Sequence, residues 1–293
     1  MEIFGIPTAL LGSQLLIGLI NGSFYAILSL GLAIIFGLLN IINFSHGAMY
    51  MLGAFVAWIG LTYFEVGYWT SLLLAPVLVG LLGVVLERTM LKKLYKLDHL
   101  YGLLLTFGLA LIIEGIFRDK FGVSGESYTV PDQLSGLIPL GFMNLPLYRG
   151  WVVIAALTVC FGTWYMIEKT KLGAYLRAGT ENPQIVQALG INVPLLITFT
   201  YGFGVALAAF AGVLAAPVFQ VNPLMGSNLI IVVFAVVVIG GMGSIMGSII
   251  TGLGLGLIEG ITKVIYPEAS SIVVFAIMIL VLLVRPAGLF GKS

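Results

Sequence analysis

The chain has 293 residues, of which 60% are hydrophobic and 9% are charged. Soluble domains carry roughly 25% charged residues, so these few charges exclude an ordinary soluble protein of this length. The net charge of +1, with basic residues scattered along the chain, excludes a nucleic-acid-binding surface, and the lone Cys160 excludes an intrachain disulfide. We therefore expect an all-α polytopic membrane protein that forms one domain over residues 1–293 and sits in a lipid bilayer.

Long apolar stretches separated by polar connections predict up to nine membrane-crossing segments. A helix rises ~1.5 Å per residue, so about 20 apolar residues cross a ~30 Å hydrocarbon layer. The first stretch is too long for one upright crossing and the seventh is short, so we expect eight or nine helices, some of them short or broken. In chain order the segments are about 10–39, 46–64, 69–87, 100–118, 150–167, 196–218, 228–243, 246–262 and 272–285.

Basic residues near the ends of these segments orient the chain, because Lys and Arg mark the cytoplasmic side of a membrane protein. Nine of the 13 Lys and Arg residues fall in connections that share one face: Arg88, Lys92, Lys93, Lys96, Lys169, Lys171, Arg177, Arg285 and Lys292. The connection at about 119–149 falls on the opposite side and contains three prolines that prevent a long helix. We expect a plasma-membrane protein with an exterior N-terminus, an exterior loop at 119–149 and a cytoplasmic C-terminus.

Two apolar stretches, one in each half of the chain, contain polar or helix-breaking residues. The first includes Asn40, Asn43, Ser45 and His46, and the second includes Gly240, Gly241, Gly243 and Ser244. Paired interruptions are typical of transporters built from an internal repeat, in which unwound backbone lines a path near the membrane midplane. The structural alternative is that glycines permit close helix packing, Ser45 caps the following helix and a neutral His46 bonds to nearby backbone.

Two acidic residues within the spans each precede a basic residue by four positions. The pairs are Glu114 with Arg118 and Glu259 with Lys263, and this order favours a contact on one helix face. An acid inside a membrane is a candidate for gating or proton coupling. Because both acids lie near a span end, we favour ion pairs at the membrane interface.

A polar segment at about 168–195 interrupts the apolar sequence between the fifth and sixth spans. Asn182-Pro183 predicts a helix start, and Gly190 predicts its end, which gives a two-turn helix at 183–189. Its apolar residues Ile185, Val186 and Leu189 would lie on one side, and a second short helix is expected around 173–178. The alternative is a merely solvated loop, which has no need of a capped helix with an apolar side.

The sequence contains no pattern typical of catalysis. There is no Ser-His-Asp or zinc-peptidase arrangement, no ligand spacing for a metal and no cofactor motif. The C-terminal Gly288-Leu-Phe-Gly291-Lys292-Ser293 lacks the first glycine of a phosphate-binding loop, because Pro286 stands there. We expect no catalytic residue, and any ATPase that drives transport would be a separate polypeptide.

Short motifs spread over nearly the whole chain resemble the integral membrane permease of high-affinity branched-chain amino acid ABC importers. They are Gly18, Gly22, Tyr25 and Ala26; Leu30 and Gly31; Asn43 to Gly47; Met51 to Ala54; Arg177 and Ala178; Asn182 and Pro183; Leu189 to Asn192; Ala211 and Gly212; Gly240, Gly241, Gly243 and Ser244; Arg285 and Pro286; and Gly288 to Gly291. Each motif is weak alone, but their order and spacing are specific.

The resemblance implies a heteromeric importer for branched-chain or related small amino acids. A second related permease, two ATP-binding cassette ATPases and an extracytoplasmic solute-binding protein would be its partners. The segment 173–194 would couple to the ATPase, although it lacks the Glu-Ala-Ala motif of other importers at its usual spacing. The coupling residues would be Gly173, Arg177, Glu181, Asn182, Pro183, Ile185, Leu189 and Gly190.

The two interrupted stretches are then candidates for the translocation path or its gate. A permease for urea or short amides would share these motifs. A self-contained channel or ion-coupled carrier is a more distant alternative that leaves the segment 168–195 unexplained. A membrane-embedded enzyme is the least favoured, because the sequence offers no nucleophile, base and metal set.

Overall fold

The computed structural model describes residues 2–3, 6–39, 41–95 and 97–291. Three residues with predicted roles, Asn40, Lys96 and Lys292, lie outside the described residues. The α-helices in the described part are α1 (Thr8–Leu39), α2 (His46–Phe64), α3 (Tyr68–Thr89), α4 (His99–Phe121), α5 (Leu147–Lys169), α6 (Lys171–Glu181), α7 (Pro183–Ala188), α8 (Val193–Ala215), α9 (Met225–Gly240), α10 (Ile245–Ile265) and α11 (Val273–Val284). Two antiparallel pairs of short strands accompany them: β1 (Glu2–Ile3) with β2 (Ile6–Pro7), and β3 (Leu137–Pro139) with β4 (Asn144–Pro146).

Each predicted span corresponds to one of these helices. Seven helices are long and apolar enough to cross a membrane, namely α1 to α5, α8 and α10. The shorter apolar helices α9 and α11 account for the remaining two segments. The prediction of an all-α polytopic membrane protein with some short helices is therefore confirmed, whereas the internal repeat stays a prediction.

Hydrogen bonds between helix ends define two faces of the bundle. The Tyr148 hydroxyl, at the start of α5, donates to the Leu214 carbonyl at 2.9 Å and lies within hydrogen-bond distance of the Tyr68 hydroxyl, at 3.1 Å. These residues lie beside the connection with the β3–β4 hairpin, and we call this end the hairpin face. At the opposite end the Thr198 hydroxyl, near the start of α8, donates to Glu87 near the end of α3 at 2.7 Å. Helices α6 and α7 lie at that end, which we call the α7 face.

The centre of the bundle is the antiparallel contact of α1 with α10, which depends on glycines. A Cβ at Gly256 would overlap the backbone of Gly18 and Gly22, and one at Gly252 would overlap that of Ala26. Gly260 similarly meets the carbonyl of Gln14. In membranes, small residues at such spacing permit close backbone approach and gain dispersion energy. The structural interpretation of the glycines in α10 is therefore confirmed.

Exposed apolar side chains cover the outside of α3 and α4. Leu73 and Leu81 on α3 and Leu104 and Leu111 on α4 are more than half exposed. In water such a surface would cause aggregation, but it matches the hydrocarbon layer of a bilayer. These two helices therefore present a surface suited to lipid.

Alanine at the crossing of α2 and α8 should destabilise the bundle. A Cβ at Gly53 would overlap the Ala209 backbone, and one at Gly212 would overlap the Tyr50 carbonyl oxygen. We expect Gly53→Ala or Gly212→Ala to lower the free energy of unfolding by about 1–3 kcal/mol, because the helices must separate. Thermal denaturation of the detergent-solubilised chain measures this.

The control is Gly115→Ala in α4, where an added Cβ meets nothing within 4 Å. Helix propensity should make that variant neutral or more stable by up to about 1 kcal/mol. Equal thermal stability of the Gly53, Gly212 and Gly115 variants would contradict the predicted helix contact.

Candidate functional site

Helices α6 and α7 form an excursion between spans α5 and α8, at the segment predicted from its polarity. The Asn182 side-chain oxygen accepts a hydrogen bond from the Ile185 amide at 3.2 Å, and Pro183 occupies the first turn of α7. Gly190 follows the helix with φ +85°, a conformation that favours glycine. The start and end of the predicted two-turn helix are confirmed.

The excursion is fixed to the end of α5. A Cβ at Gly173 would overlap the Ile167 carbonyl oxygen, so α6 can approach α5 only with glycine there. The Arg177 guanidinium donates to the same carbonyl at 3.1 Å and lies 3.5 Å from the Glu168 carboxylate. This ion pair is largely exposed and adds little energy, but the close backbone contact sets the position of α6.

The apolar residues of α7 point in two directions, whereas the sequence predicts one shared side. Val186 is 5% exposed and packs inward, while Ile185 is 59% and Leu189 is 75% exposed. Glu181 at the end of α6 is also exposed. The protein therefore anchors α7 through Val186 and presents two large apolar side chains outward from the α7 face.

The second predicted break is a tight turn between α9 and α10. Gly241 and Gly243 have φ +98° and +86°, and the Ser244 hydroxyl accepts a hydrogen bond from the Gly247 amide at 3.1 Å, which caps α10. Gly240 packs directly against Gly247. We expected unwound backbone lining a path near the membrane midplane, but these residues reverse the chain between two helices.

The C-terminal residues close this turn. The amides of Leu289 and Phe290 donate to the carbonyls of Ile239 and Gly240 at 2.8 and 3.2 Å. A side chain at Gly241 would overlap the Gly291 amide. The end of α9 thus binds the tail through its free carbonyl groups, which a helix C-terminus otherwise leaves unpaired.

The turn and the excursion meet at a small cleft on the α7 face. The cleft has a volume of about 90 Å³ and is lined by Gly243 of the turn, Gly37 of α1, and Leu176 and Arg177 of α6. Gly243 and Gly37 are in direct backbone contact. Two sets of residues predicted separately, one for coupling and one for a gate, are therefore neighbours.

The first predicted break lies inside the bundle, where Asn43, Ser45 and His46 are completely buried. The Asn43 side-chain oxygen accepts hydrogen bonds from the Ser45 amide at 3.1 Å and the Ser45 hydroxyl at 2.6 Å. Its amide nitrogen donates to the Tyr201 hydroxyl of α8 at 3.1 Å. Ser45 is the N-cap residue of α2, as expected, but its side chain makes no capping bond and binds Asn43 instead.

His46 bonds to backbone through one ring nitrogen, while its buried Nδ1 has no hydrogen-bond partner among the described residues. Its Nε2 donates to the Leu28 carbonyl of α1 at 3.0 Å, which fixes the tautomer because a carbonyl oxygen can only accept. A Cβ at Gly31 would meet the His46 ring, so glycine makes room for it. This arrangement fits the structural interpretation of His46 and gives it no open space in this conformation.

The sequence analysis missed a buried acid, Glu87, because the third predicted span ends there and Arg88 follows. Glu87 is 1% exposed and accepts hydrogen bonds from the Tyr95 hydroxyl at 2.6 Å and the Thr198 hydroxyl at 2.7 Å. Burial, and secondly the neighbouring Glu87, raise the pKa of Tyr95 above its usual range. Glu87 thereby joins α3, the following connection and the start of α8, directly behind the excursion.

Removing the Glu87 carboxylate should destabilise this corner. We expect Glu87→Leu to remove the acceptor of the partly buried Tyr95 hydroxyl and to leave Thr198 with only the Pro194 carbonyl, at 3.0 Å. A buried polar group without a partner costs about 1–3 kcal/mol. Glu87→Gln keeps the shape and one acceptor oxygen, so its loss in thermal stability should be clearly smaller. Thermal denaturation of the purified chain distinguishes them, and equal midpoints for Glu87→Leu and the native chain would contradict the role of Glu87.

Of the two predicted ion pairs, one forms. The Lys263 ammonium lies 2.6 Å from Glu259, whose second carboxylate oxygen accepts a hydrogen bond from the Tyr25 hydroxyl of α1 at 2.8 Å. Within the described residues, Glu114 and Arg118 make no ion pair. Glu259 is therefore a neutralised acid that links α10 to α1.

A cavity of about 420 Å³ lies in the half of the bundle nearer the hairpin face, between α1, α2, the connection 216–224 and the start of α9. No lining residue that the structure describes carries a formal charge. We call it the amide cavity after four side chains in its wall: Asn21, Gln220, Asn222 and Asn228. Gln220, Asn222 and Asn228 lie within nine residues, at and after the connection between α8 and α9, whereas Asn21 lies in α1. The sequence does not show that Asn21 joins the other three.

The apolar helix bundle defines a polytopic membrane protein, and the excursion of α6 and α7 gives it an exposed surface at the α7 face. The sequence matches the family described as branched-chain amino acid transport system, permease component, over residues 14–282. The chain therefore belongs to this family, and the predicted resemblance is confirmed.

Individual relatives agree with the family match. The high-affinity branched-chain amino acid transport system permease protein BraD of Pseudomonas aeruginosa is 30% identical over 95% of this chain and 95% of its own length. The corresponding protein LivH of Escherichia coli is 29% identical over the same shares. The permease protein LivM of Escherichia coli is 24% identical over 92% of this chain and 68% of its own length. No solved structure is a significant match.

Proposed function

We propose that this chain is the membrane-spanning permease subunit of an ABC importer that translocates branched-chain or related small amino acids. The observation that carries the proposal is the family match over residues 14–282. The relatives BraD and LivH are named as permeases of branched-chain amino acid transport systems. The permease itself would have no catalytic site.

The partners would be a second related permease, two ATP-binding cassette ATPases and an extracytoplasmic solute-binding protein. Similarity of this chain to both LivH and LivM supports a pair of related permeases. The ATPase would bind the α7 face, where Ile185 and Leu189 are exposed on a capped helix that is anchored from behind. Large exposed apolar residues on a rigid element are typical of docking surfaces.

In this proposal the α7 face is cytoplasmic, the hairpin face is exterior, and the protein resides in the inner membrane. The excess of basic residues supports this orientation, because the connection after α3 and the excursion lie on the α7 face. The N-terminus would be exterior and the C-terminus cytoplasmic.

Movement of α6 and α7 would be transmitted to the translocation path at the cleft on the α7 face, which the excursion and the turn at 240–244 line together. Closure of the ATPases on ATP would shift α6 and α7, and Gly243 lies beside Leu176 and Arg177 in that cleft. The turn at 240–244 would act as a gate element. The break at 41–47, buried between α1 and α8, would be part of the path that opens in another conformation.

Copurification and reconstitution test the proposal. The tagged chain should purify with an ATPase and a second permease, and the complex in liposomes should accumulate L-leucine only with ATP and a binding protein. Uptake of urea or acetamide in place of amino acids would show that the chain is instead a permease for urea or short amides. Transport without any ATPase would instead establish a channel or carrier and contradict the proposal.

A further inference from the structure

The amide cavity contains side-chain carboxamides beyond the one that stabilises its wall. The side-chain nitrogen of Asn222 donates to the backbone carbonyl of Gln220 at 3.1 Å, and its side-chain oxygen accepts from the backbone amide of Leu224 at 3.0 Å. Asn222 therefore stabilises the connection itself. Asn21, Gln220 and Asn228 remain as the amides that can face a solute. Each carboxamide both donates and accepts hydrogen bonds.

We propose that the amide cavity is a binding site for the transported solute at its entry from the exterior, and that the site takes a net-neutral zwitterion with an apolar side chain. The inference rests on the proposed function and adds to it the place where the permease recognises its substrate. The cavity volume of about 420 Å³ lies within the ~300–1,000 Å³ of small-molecule sites.

The wall of the cavity suits both parts of such a solute. Carboxamide N–H groups can bind a carboxylate, and carboxamide oxygens can bind an ammonium group, without a fixed charge that would favour a cation or an anion. The aromatic rings of Phe24 and Phe219, with centroids 5.6 Å apart, form an apolar surface for the side chain. A ring face also attracts an ammonium group.

Tyr25 is held at the cavity wall from behind. Its hydroxyl donates to Glu259 at 2.8 Å, and Lys263 neutralises that carboxylate at 2.6 Å. The ion pair thus fixes the ring of Tyr25 while contributing no lining residue of its own. Tyr25 is a positioning element of the wall, and the acid beside it is not free to bind a cationic solute.

The position of the cavity matches entry from the hairpin face. Gln220 and Asn222 flank Val221, whose backbone amide and carbonyl pair with those of Glu126 at 2.9 and 2.8 Å. Glu126 belongs to the connection that includes the hairpin. The cavity wall at 220–222 is therefore bonded to the exterior connection, on the side from which a solute would enter under the proposed function.

Uptake by the reconstituted complex is the first test. With the second permease, ATPases and binding protein present, Asn228→Asp should lower L-leucine uptake at least tenfold, because the change removes an N–H donor and adds a fixed charge to a site that takes a net-neutral solute. Ser271→Asp is the control for an added carboxylate: Ser271 is exposed in the connection between α10 and α11, outside the cavity lining and outside the connection that includes the hairpin, and this variant should transport normally. Copurification of the ATPase should be unchanged in both variants.

Thiol protection gives a second test that does not require transport. Cys160 is the lone cysteine of the chain and is buried, so Asn228→Cys in a Cys160→Ser background introduces one accessible thiol. In the complex with its binding protein, L-leucine should slow labelling by a cationic methanethiosulfonate at least threefold, whereas the thiol of Ser271→Cys should show no protection.

The outcomes separate the two proposals. If the native complex transports no amino acid, the proposed function fails. If it transports L-leucine but Asn228→Asp transports as well as the native chain, or if Asn228→Cys is not protected, the amide cavity is not the entry site. Should Asn228→Asp fail to assemble, protection of the Asn228→Cys thiol alone decides.

Discussion

Replacing Ile185 by aspartate should separate the permease from its ATPase. Ile185 is 59% exposed at the tip of the excursion, beside the 75% exposed Leu189. If these side chains fill an apolar cleft of the ATPase, burying Ile185 contributes about 1.5–3 kcal/mol to the free energy of binding. The variant loses this contribution and must also desolvate a carboxylate. Because 1.4 kcal/mol corresponds to a factor of ten in affinity, we expect ATPase copurification to fall at least tenfold and uptake with it.

The control for this experiment is Gln187→Asp on the same helix. With 3.6 residues per turn, Gln187 points away from Ile185, and it is also exposed, so the charge change and the solvent contact are similar. Gln187→Asp should retain the ATPase. Normal copurification and uptake by Ile185→Asp would remove the docking role of α7, whereas loss in both variants would point to a general effect of charge on the excursion.

Replacing Gly241 by leucine should abolish uptake while leaving the ATPase bound. Gly241 has φ +98°, where a residue with a Cβ is strained, and a side chain there would overlap the Gly291 amide. The turn must therefore change its conformation or release the C-terminal tail. Since the excursion is anchored mainly through Gly173 and Val186, ATPase docking should persist.

Gly162→Leu in α5 is the matched control, because an added Cβ there meets nothing within 4 Å. Uptake of L-leucine and copurification of the ATPase are measured together for both variants and for Gly243→Leu, which tests the neighbouring contact with Gly37. Uptake at the native rate by Gly241→Leu would exclude the turn at 240–244 as a gate. Loss of the ATPase as well would show that the turn supports docking and not gating alone.

Local signals in the sequence predicted the elements well. Membrane helices can be predicted because roughly 20 consecutive apolar residues have no other stable environment, and the long apolar helices of the described residues followed from that. The helix α7 followed from Asn182-Pro183 and Gly190, since capping is decided within a few residues. The family resemblance also followed from the sequence, because its motifs keep their order along the chain.

Interactions between distant residues could not be predicted in the same way. Glu87 looks like a surface acid beside Arg88, and only packing against Tyr95 and Thr198 shows that it is buried. The Asn43 side chain that binds the Ser45 hydroxyl is itself held by Tyr201 of α8. The contacts with Tyr95, Thr198 and Tyr201 depend on three-dimensional proximity, which spacing in a sequence does not encode.

The sequence by itself determined the class of protein, its spans and the excursion, because hydrophobic length and helix capping are local properties. The tertiary structure alone decided that the turn at 240–244 and the excursion line one cleft, and that amides from α1, α9 and the connection between α8 and α9 share one cavity. The cleft includes a close contact of Gly37 with Gly243, and which helix faces meet at either place depends on packing throughout the bundle.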